Sequence, residues 1–311
     1  MITLPSPEIA CIGELLIDMI STDYADDFAS ARSYERLAGG SPANLAMNLA
    51  RLGKSVGLIA AVGRDAAGQL LIEEVAAAGV ETMGIAQLPL PTTLILVTKS
   101  KEVSQFEAYR SADRHLSAEQ FAYLDLDKLK VMHTTAFALS HEPARSVILD
   151  QMDQGAAAGA RLSTDFNYAA KIWEGKREEA IATLRRIAAA GALIKMSDVD
   201  YERLVGEPIT DPKVAATGLL DLGAHAVCLT LGGEGCFVQS AEESFHLPAN
   251  PVDVVDTTGA GDAFWSGFLA AYTEDRSLNE CARAGRAMAT LKLSRLGPVR
   301  EKREVADLLQ L

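Results

Sequence analysis

Asp262 closes the stretch Gly259, Ala260, Gly261 within the run VDVVDTTGAGDAF, residues 252–264. Residues 260–272 read as a helix. Small residues at a helix start leave backbone N–H groups and the positive end of the dipole open to an anion. Gly259, Ala260 and Gly261 therefore suit an anion cradle. A carboxylate adds nothing to anion binding, so Asp262 in the first turn suits a base that takes a proton from an attacking hydroxyl. A purely structural use is equally open to these residue types. Asp256 could cap the helix, Asp262 could favour its N-terminus, and the glycines could permit tight packing.

The elements that must position these residues alternate along the chain. Residues 8–13 and 56–62 read as strands. Residues 42–52 and 66–78 read as helices closed by Gly53 and Gly79, the first with Ser41 as cap and Pro42 at its first position. The rhythm resumes with strands 131–136, 161–166, 193–196 and 226–231 and helices 143–158, 177–190, 198–205 and 212–222. Strands 236–240 and 244–247 follow a glycine turn at 231–235, and helices 277–293 and 301–309 close the chain. Such alternation predicts an α/β fold, a mainly parallel sheet flanked by helices on both faces. Residues 15–20 and 34–37 and a hairpin over 92–111, turning near Lys101 and Glu102, stand outside the rhythm and predict a small β-sheet lid. The expected division is 1–14, 39–91 and 112–311 for the α/β body and 15–38 and 92–111 for the lid.

Composition narrows the function. Twenty-nine basic residues against 42 acidic ones give a net charge of −13, which disfavours nucleic acid and anionic lipid as partners. Cys11, Cys228, Cys236 and Cys281 show no C-x-x-C spacing, and buried reduced thiols fit a cytoplasmic location. No run of about 18 apolar residues predicts a membrane span. Neither a P-loop nor a G-x-G-x-x-G after the first strand occurs, which counts against a P-loop enzyme and against a dinucleotide-dependent dehydrogenase.

Two strings carry a family resemblance. DTTGAGDAF resembles, residue for residue, the C-terminal signature of the ribokinase-like (PfkB) sugar kinases, and AGGSPANLA, residues 38–46, is similar to their N-terminal sugar-binding segment. The resemblance implies a ribokinase-like fold and transfer of the γ-phosphoryl group of MgATP to a primary hydroxyl of a small sugar. It makes Asp262 the base and Gly259, Ala260 and Gly261 the anion hole. It places Asp18 of GELLID, Gly39, Gly40, Asn44 and Arg110 of FEAYRSADR on the sugar, with Asp113 nearby. Lys195, Ser197, Thr230, Gly232 and Gly235, with Gly259 and Gly261, fall on the nucleotide. Ser197 to Asp200, SDVD, aligns with an N-x-x-E motif, so Asp200 would organise magnesium through water. Asp165 and Asn167 of TDFNYAAKIW would lie near the phosphates and metal. Ala169 replaces a usual arginine, and Lys171 is the candidate to substitute for it. Asp256 would hold a monovalent cation such as K+. The nearest likeness is to fructokinases, with 2-keto-3-deoxygluconate and 5-dehydro-2-deoxygluconate kinases as alternatives and a non-catalytic nucleotide and sugar sensor as the alternative from another class. Pairing through the lid edge would give a homodimer.

Overall fold

The computed structural model describes residues 6–23, 25, 27–99 and 105–311; the expected hairpin turn at Lys101 and Glu102 lies outside them. In chain order the strands are β1 (Ile9–Ile12), β2 (Leu16–Ser21), β3 (Tyr34–Gly39), β4 (Val56–Gly63), β5 (Ile85–Leu88), β6 (Leu94–Thr98), β7 (Gln105–Tyr109), β8 (Val131–Thr135), β9 (Arg161–Asp165), β10 (Leu193–Ser197), β11 (Ala226–Thr230), β12 (Cys236–Ser240) and β13 (Ser244–Leu247). The helices are α1 (Ser41–Arg51), α2 (Ala66–Ala77), α3 (Ala144–Ala157), α4 (Arg177–Ala189), α5 (Asp198–Val205), α6 (Pro212–Leu220), α7 (Ala260–Tyr272), α8 (Leu278–Leu293) and α9 (Val305–Leu308).

Nine strands form one sheet in the order β13-β12-β11-β10-β9-β8-β1-β4-β5. From β11 to β5 every neighbouring pair is parallel, and the β11–β12 and β12–β13 pairs at one edge are antiparallel. The strands are apolar on both faces because both are covered. Ile9 and Cys11 point into one core with α1, α2, α7 and α8, while Ala10 and Ile12 point into the other with α3, α4, α5 and α6. The chain runs from β1 to β4 and β5 in one direction and from β8 to β11 in the other. A crevice therefore opens at the carboxyl ends of the strands beside β1, where α/β sheets bind ligands. Glu14, Thr135, Asp165, Ser197 and Thr230 all stand at or just beyond those ends.

The second sheet, β3-β2-β6-β7, is the small one that the irregular excursions predict, with β2 and β6 parallel and both outer pairs antiparallel. Register puts Asp18, Leu37, Ile95 and Ala108 on one face of it.

Three local expectations are corrected. Ser41 is the first residue of α1 and not its cap; Gly40, at φ 102°, holds the cap position, and the Ser41 N–H is satisfied by the Glu14 carboxylate at 3.1 Å. The final helix spans only Val305–Leu308, because the polar residues 300–303 have no apolar face to bury. β5 escaped notice since IAQL is only four residues long, and it is added to the edge by parallel pairing with β4.

Candidate active site

Two helix N-termini meet in the crevice. α7 opens on Gly259 in the left-handed region, φ 72°, and α1 opens on Gly40. α7 is pinned to the sheet by Trp265, whose Nε1 donates to Ser163 Oγ at 2.9 Å and whose ring stacks on Phe268 at 4.4 Å. Asp262 in its first turn then faces α1: Ser41 Oγ donates to Oδ1 at 2.6 Å and Asn44 Nδ2 to Oδ2 at 2.9 Å. Burial pushes the Asp262 carboxyl up to about 6, opposed by these two hydrogen bonds. A carboxylate that titrates near 6 is ionised at neutral pH and still basic enough to accept a proton.

The anion hole is narrower than the sequence suggests. The Ala260 N–H donates to the Thr257 carbonyl at 3.1 Å, which removes one of the three expected donors. Among the described residues no acceptor is found for the N–H of Gly259 or Gly261. A Cβ on Gly261 would lie 2.8 Å from Lys195 Nζ, so the turn rests on an ammonium group. β9 and β10 pair Asp165 with Lys195 in register, and their ion pair spans 2.7 Å with both side chains at most 5% exposed. The other oxygen of Asp165, Oδ1, is buried with no partner. Asp165 is the first of two neighbouring acids. Asp200, in the first turn of α5, accepts from Ser197 Oγ at 2.6 Å, and burial lifts its carboxyl to about 6.

These residues fit magnesium ATP. Two N–H groups and an ammonium suit phosphate oxygens, and the orphaned Asp165 oxygen with Asp200 suits a metal held partly through water. Among the described residues no three His, Cys, Asp or Glu side chains gather as a metal cage, so magnesium would take most of its shell from water and phosphate. Ser197 is spent as the cap of α5, accepting from the Asp200 N–H at 3.0 Å. Gly232 and Gly235, the two glycines of the 231–235 turn expected on the nucleotide, differ. A Cβ on Gly235 would collide with the Leu247 carbonyl at 2.1 Å, whereas one on Gly232 would meet open space. Gly235 is thus fixed by strand packing, while the half-buried Thr230 ends β11 and Gly232 follows it, exposed.

On the sugar side, Asp18 lies beside a Gly39 that has no room for a side chain: a Cβ there would sit 2.0 Å from Asp18 Oδ2. Burial and then the charge of Asp262 push Asp18 up to about 7. Gly40 could carry no Cβ either, since Glu14 O would be 2.3 Å away. Arg110 is committed to its own surroundings. It donates to Asp113 Oδ2 from Nε at 2.8 Å, to the Phe137 carbonyl and to Ser140, and lies 4.1 Å over the Phe137 ring. Asn167 Oδ1 accepts from the Phe137 N–H at 3.1 Å. Lys171 does not replace the missing arginine: it reaches the small sheet, where Nζ bonds Glu107 at 2.6 Å and the Phe106 carbonyl at 2.9 Å. At Asp256 the place expected for a monovalent cation is taken by an ammonium, Lys292 Nζ at 2.7 Å.

Glu14 carries a part the sequence reading left unassigned. It is 2% exposed, accepts from the Ser41 N–H and from Thr135 Oγ1 at 3.0 Å, and is raised to about 8 by burial. It stands in for a cap side chain at α1 and so sets the helix that holds Asp262. A lone acid directly after an apolar strand and a glycine was the available signal.

With this geometry in place, comparison with known proteins identifies the lineage. The pfkB family carbohydrate kinase model matches residues 6–303. The chain belongs to that family. It is 35% identical over 293 residues to the ATP-dependent 6-phosphofructokinase of Thermoanaerobacterium thermosaccharolyticum, covering 94% of this chain and 89% of the relative. Among solved structures, the fructokinase of Halothermothrix orenii superposes with a TM-score of 0.79 at 32% identity, over 94% of this chain and 100% of that one. A sugar kinase of Pyrococcus horikoshii in complex with ATP gives 0.84 at 27% identity over 97% of both chains. The pfkB chain described here has the ribokinase-like fold of these neighbours and is a sugar kinase.

Proposed function

We propose that this sugar kinase transfers the γ-phosphoryl group of magnesium ATP to a primary hydroxyl of a ketohexose of the fructose type. The observation that carries the reading is Asp262, oriented by Ser41 and Asn44 at the mouth of α7 beside N–H groups that hold no acceptor. Magnesium ATP, when bound, supplies the phosphoryl group and a metal that offsets its charge. Asp262 takes the hydroxyl proton on a carboxylate oxygen, giving up its bond to Asn44, whose amide is then free for a sugar oxygen. The N–H groups of Gly259 and Gly261 and the Lys195 ammonium stabilise the negative charge that spreads during transfer. Asp18 accepts hydrogen bonds from neighbouring hydroxyls.

The four-stranded sheet closes over this cleft and excludes water, which would otherwise compete with the sugar as acceptor. Met19 and Leu94 of this sheet pack against the core of the body, which leaves the half-buried Leu96 and the exposed Tyr109 as apolar groups that support pairing with a second copy. Keto-sugar acids are disfavoured as acceptors because Arg110, expected on the substrate, is already bonded to Asp113 and has less charge to offer a second carboxylate. The sensor reading is disfavoured because a binder needs no oriented base. ADP release from magnesium ATP against fructose, fructose 6-phosphate, 2-keto-3-deoxygluconate, ribose and adenosine tests the proposal. Turnover confined to the ketohexoses is expected. ATP binding without turnover of any acceptor would favour the sensor.

A further inference from the structure

Helix α8 buries a stripe through Cys281, Gly285, Met288 and Lys292, and the last of these is a cation only 6% exposed. A lysine on the buried face of a helix is costly unless its charge is met. Lys292 Nζ meets the Asp256 carboxylate at 2.7 Å and the Asp256 carbonyl at 3.4 Å. It does so at the carboxyl end of α8, where the helix dipole also favours a cation. Asp256 opens the turn that leads into α7. Its other carboxylate oxygen accepts from the Thr258 N–H at 2.9 Å, and the Val255 N–H donates to the Leu293 carbonyl at 2.8 Å. The turn is therefore stapled to α8 immediately before Gly259, the residue on which α7 opens. Among the described residues, the N–H groups of Gly259 and Gly261 are the open donors of the anion hole that this turn presents.

The monovalent cation expected at Asp256 does not fit there. Thr258 and Lys292 take its two carboxylate oxygens, and the Thr290, Leu291, Lys292 and Leu293 carbonyls at the end of α8 all accept hydrogen bonds already. A second cation would also stand against the buried ammonium, and like charges repel strongly away from water. We propose that Lys292 is a positioning residue for phosphoryl transfer. Its tethered ammonium holds the 256–258 turn so that Gly259 and Gly261 present their N–H groups to the phosphate, and the kinase works without any monovalent cation. The assignment rests on the sugar-kinase reading and adds to it the group that sets the anion hole. A tethered ammonium is in place at every salt concentration, whereas a free ion is recruited by mass action.

The test measures magnesium ATP affinity by calorimetry, and ADP release with the better of fructose and fructose 6-phosphate, in choline, potassium and ammonium chloride at one ionic strength. The full chain, Lys292→Met and Lys292→Ala are compared. The native protein should give the same affinity and rate in all three salts, within about twofold. Lys292→Met should lower kcat/KM for ATP by about 10- to 100-fold, because donors set out of place lose the charge that they meet. Lys292→Ala leaves room at Asp256, so potassium and ammonium should each raise its affinity and rate by about fivefold or more over choline, which is too large to enter. A lysine needed for folding alone would lower the urea midpoint and leave the folded protein's kcat/KM unchanged. Native affinity or rate that rises severalfold in potassium, a folded Lys292→Met with native kcat/KM, or a folded Lys292→Ala that neither ion improves would each overturn the proposal. The first of these needs no variant and decides even where the substituted chains do not fold. The two levels separate. Native turnover that depends on potassium removes the Lys292 assignment and leaves the kinase; ATP affinity that follows the expected salt pattern, without turnover, supports Lys292 and removes the kinase reading.

Discussion

Lys195→Met examines the ground on which the anion hole rests. The ammonium is 4% exposed, bonds Asp165 at 2.7 Å and sits where Gly261 leaves space for it. Removing it leaves the Asp165 carboxylate buried, with one oxygen newly orphaned and the other already so. Breaking a buried pair from one side costs about 3–5 kcal/mol, a large share of the roughly 5–15 kcal/mol that holds a domain folded. Asp165→Asn should cost a similar amount, because it strands the ammonium. The double variant removes both charges and should recover part of the loss, with a coupling of about 2–3 kcal/mol. Urea unfolding of the four proteins, with slopes compared, measures that coupling. In activity, Lys195→Met should also lower kcat/KM for ATP by about tenfold or more, since a cation beneath the phosphates is gone. A coupling below about 0.5 kcal/mol, or an unchanged kcat/KM for ATP, would refute the reasoning.

Two further outcomes follow from the geometry. Gly40→Ala should destabilise by about 1–3 kcal/mol or more, because φ is 102° and the new Cβ meets the Glu14 carbonyl oxygen; Gly53→Ala, with φ 78° but open space around it, should cost only about 1–2 kcal/mol, and urea midpoints compare the two. With burial holding the free Asp262 carboxyl up at about 6, kcat/KM should be lost as pH falls through 6, by about tenfold per unit below 5, and a pH profile flat from 4.5 to 8 would contradict the assignment of the base.

Much of the site was legible in the sequence because its parts are local. A glycine turn ahead of a helix and an acid in its first turn can be read from a dozen residues, and α7 begins at Ala260 as expected. The α/β alternation was legible for the same reason, since buried parallel strands are short apolar runs. The partnerships were not. Ser41 and Asn44 meet Asp262 across more than 200 residues, and Lys171 crosses to the small sheet, which no spacing announces. Arg110 has the residue type of a substrate ligand, yet the short 112–114 turn folds Asp113 back onto it.

Asp262→Asn bears most directly on the central claim. The replacement keeps the shape, the Ser41 hydroxyl can turn to accept from the new amide, and Asn44 can still donate to its oxygen, so folding and ATP affinity should hold. Single-turnover measurement of phosphoryl transfer should show a loss of about 10²- to 10⁴-fold. A variant that binds ATP normally and retains transfer within a few-fold of the native rate would contradict the account.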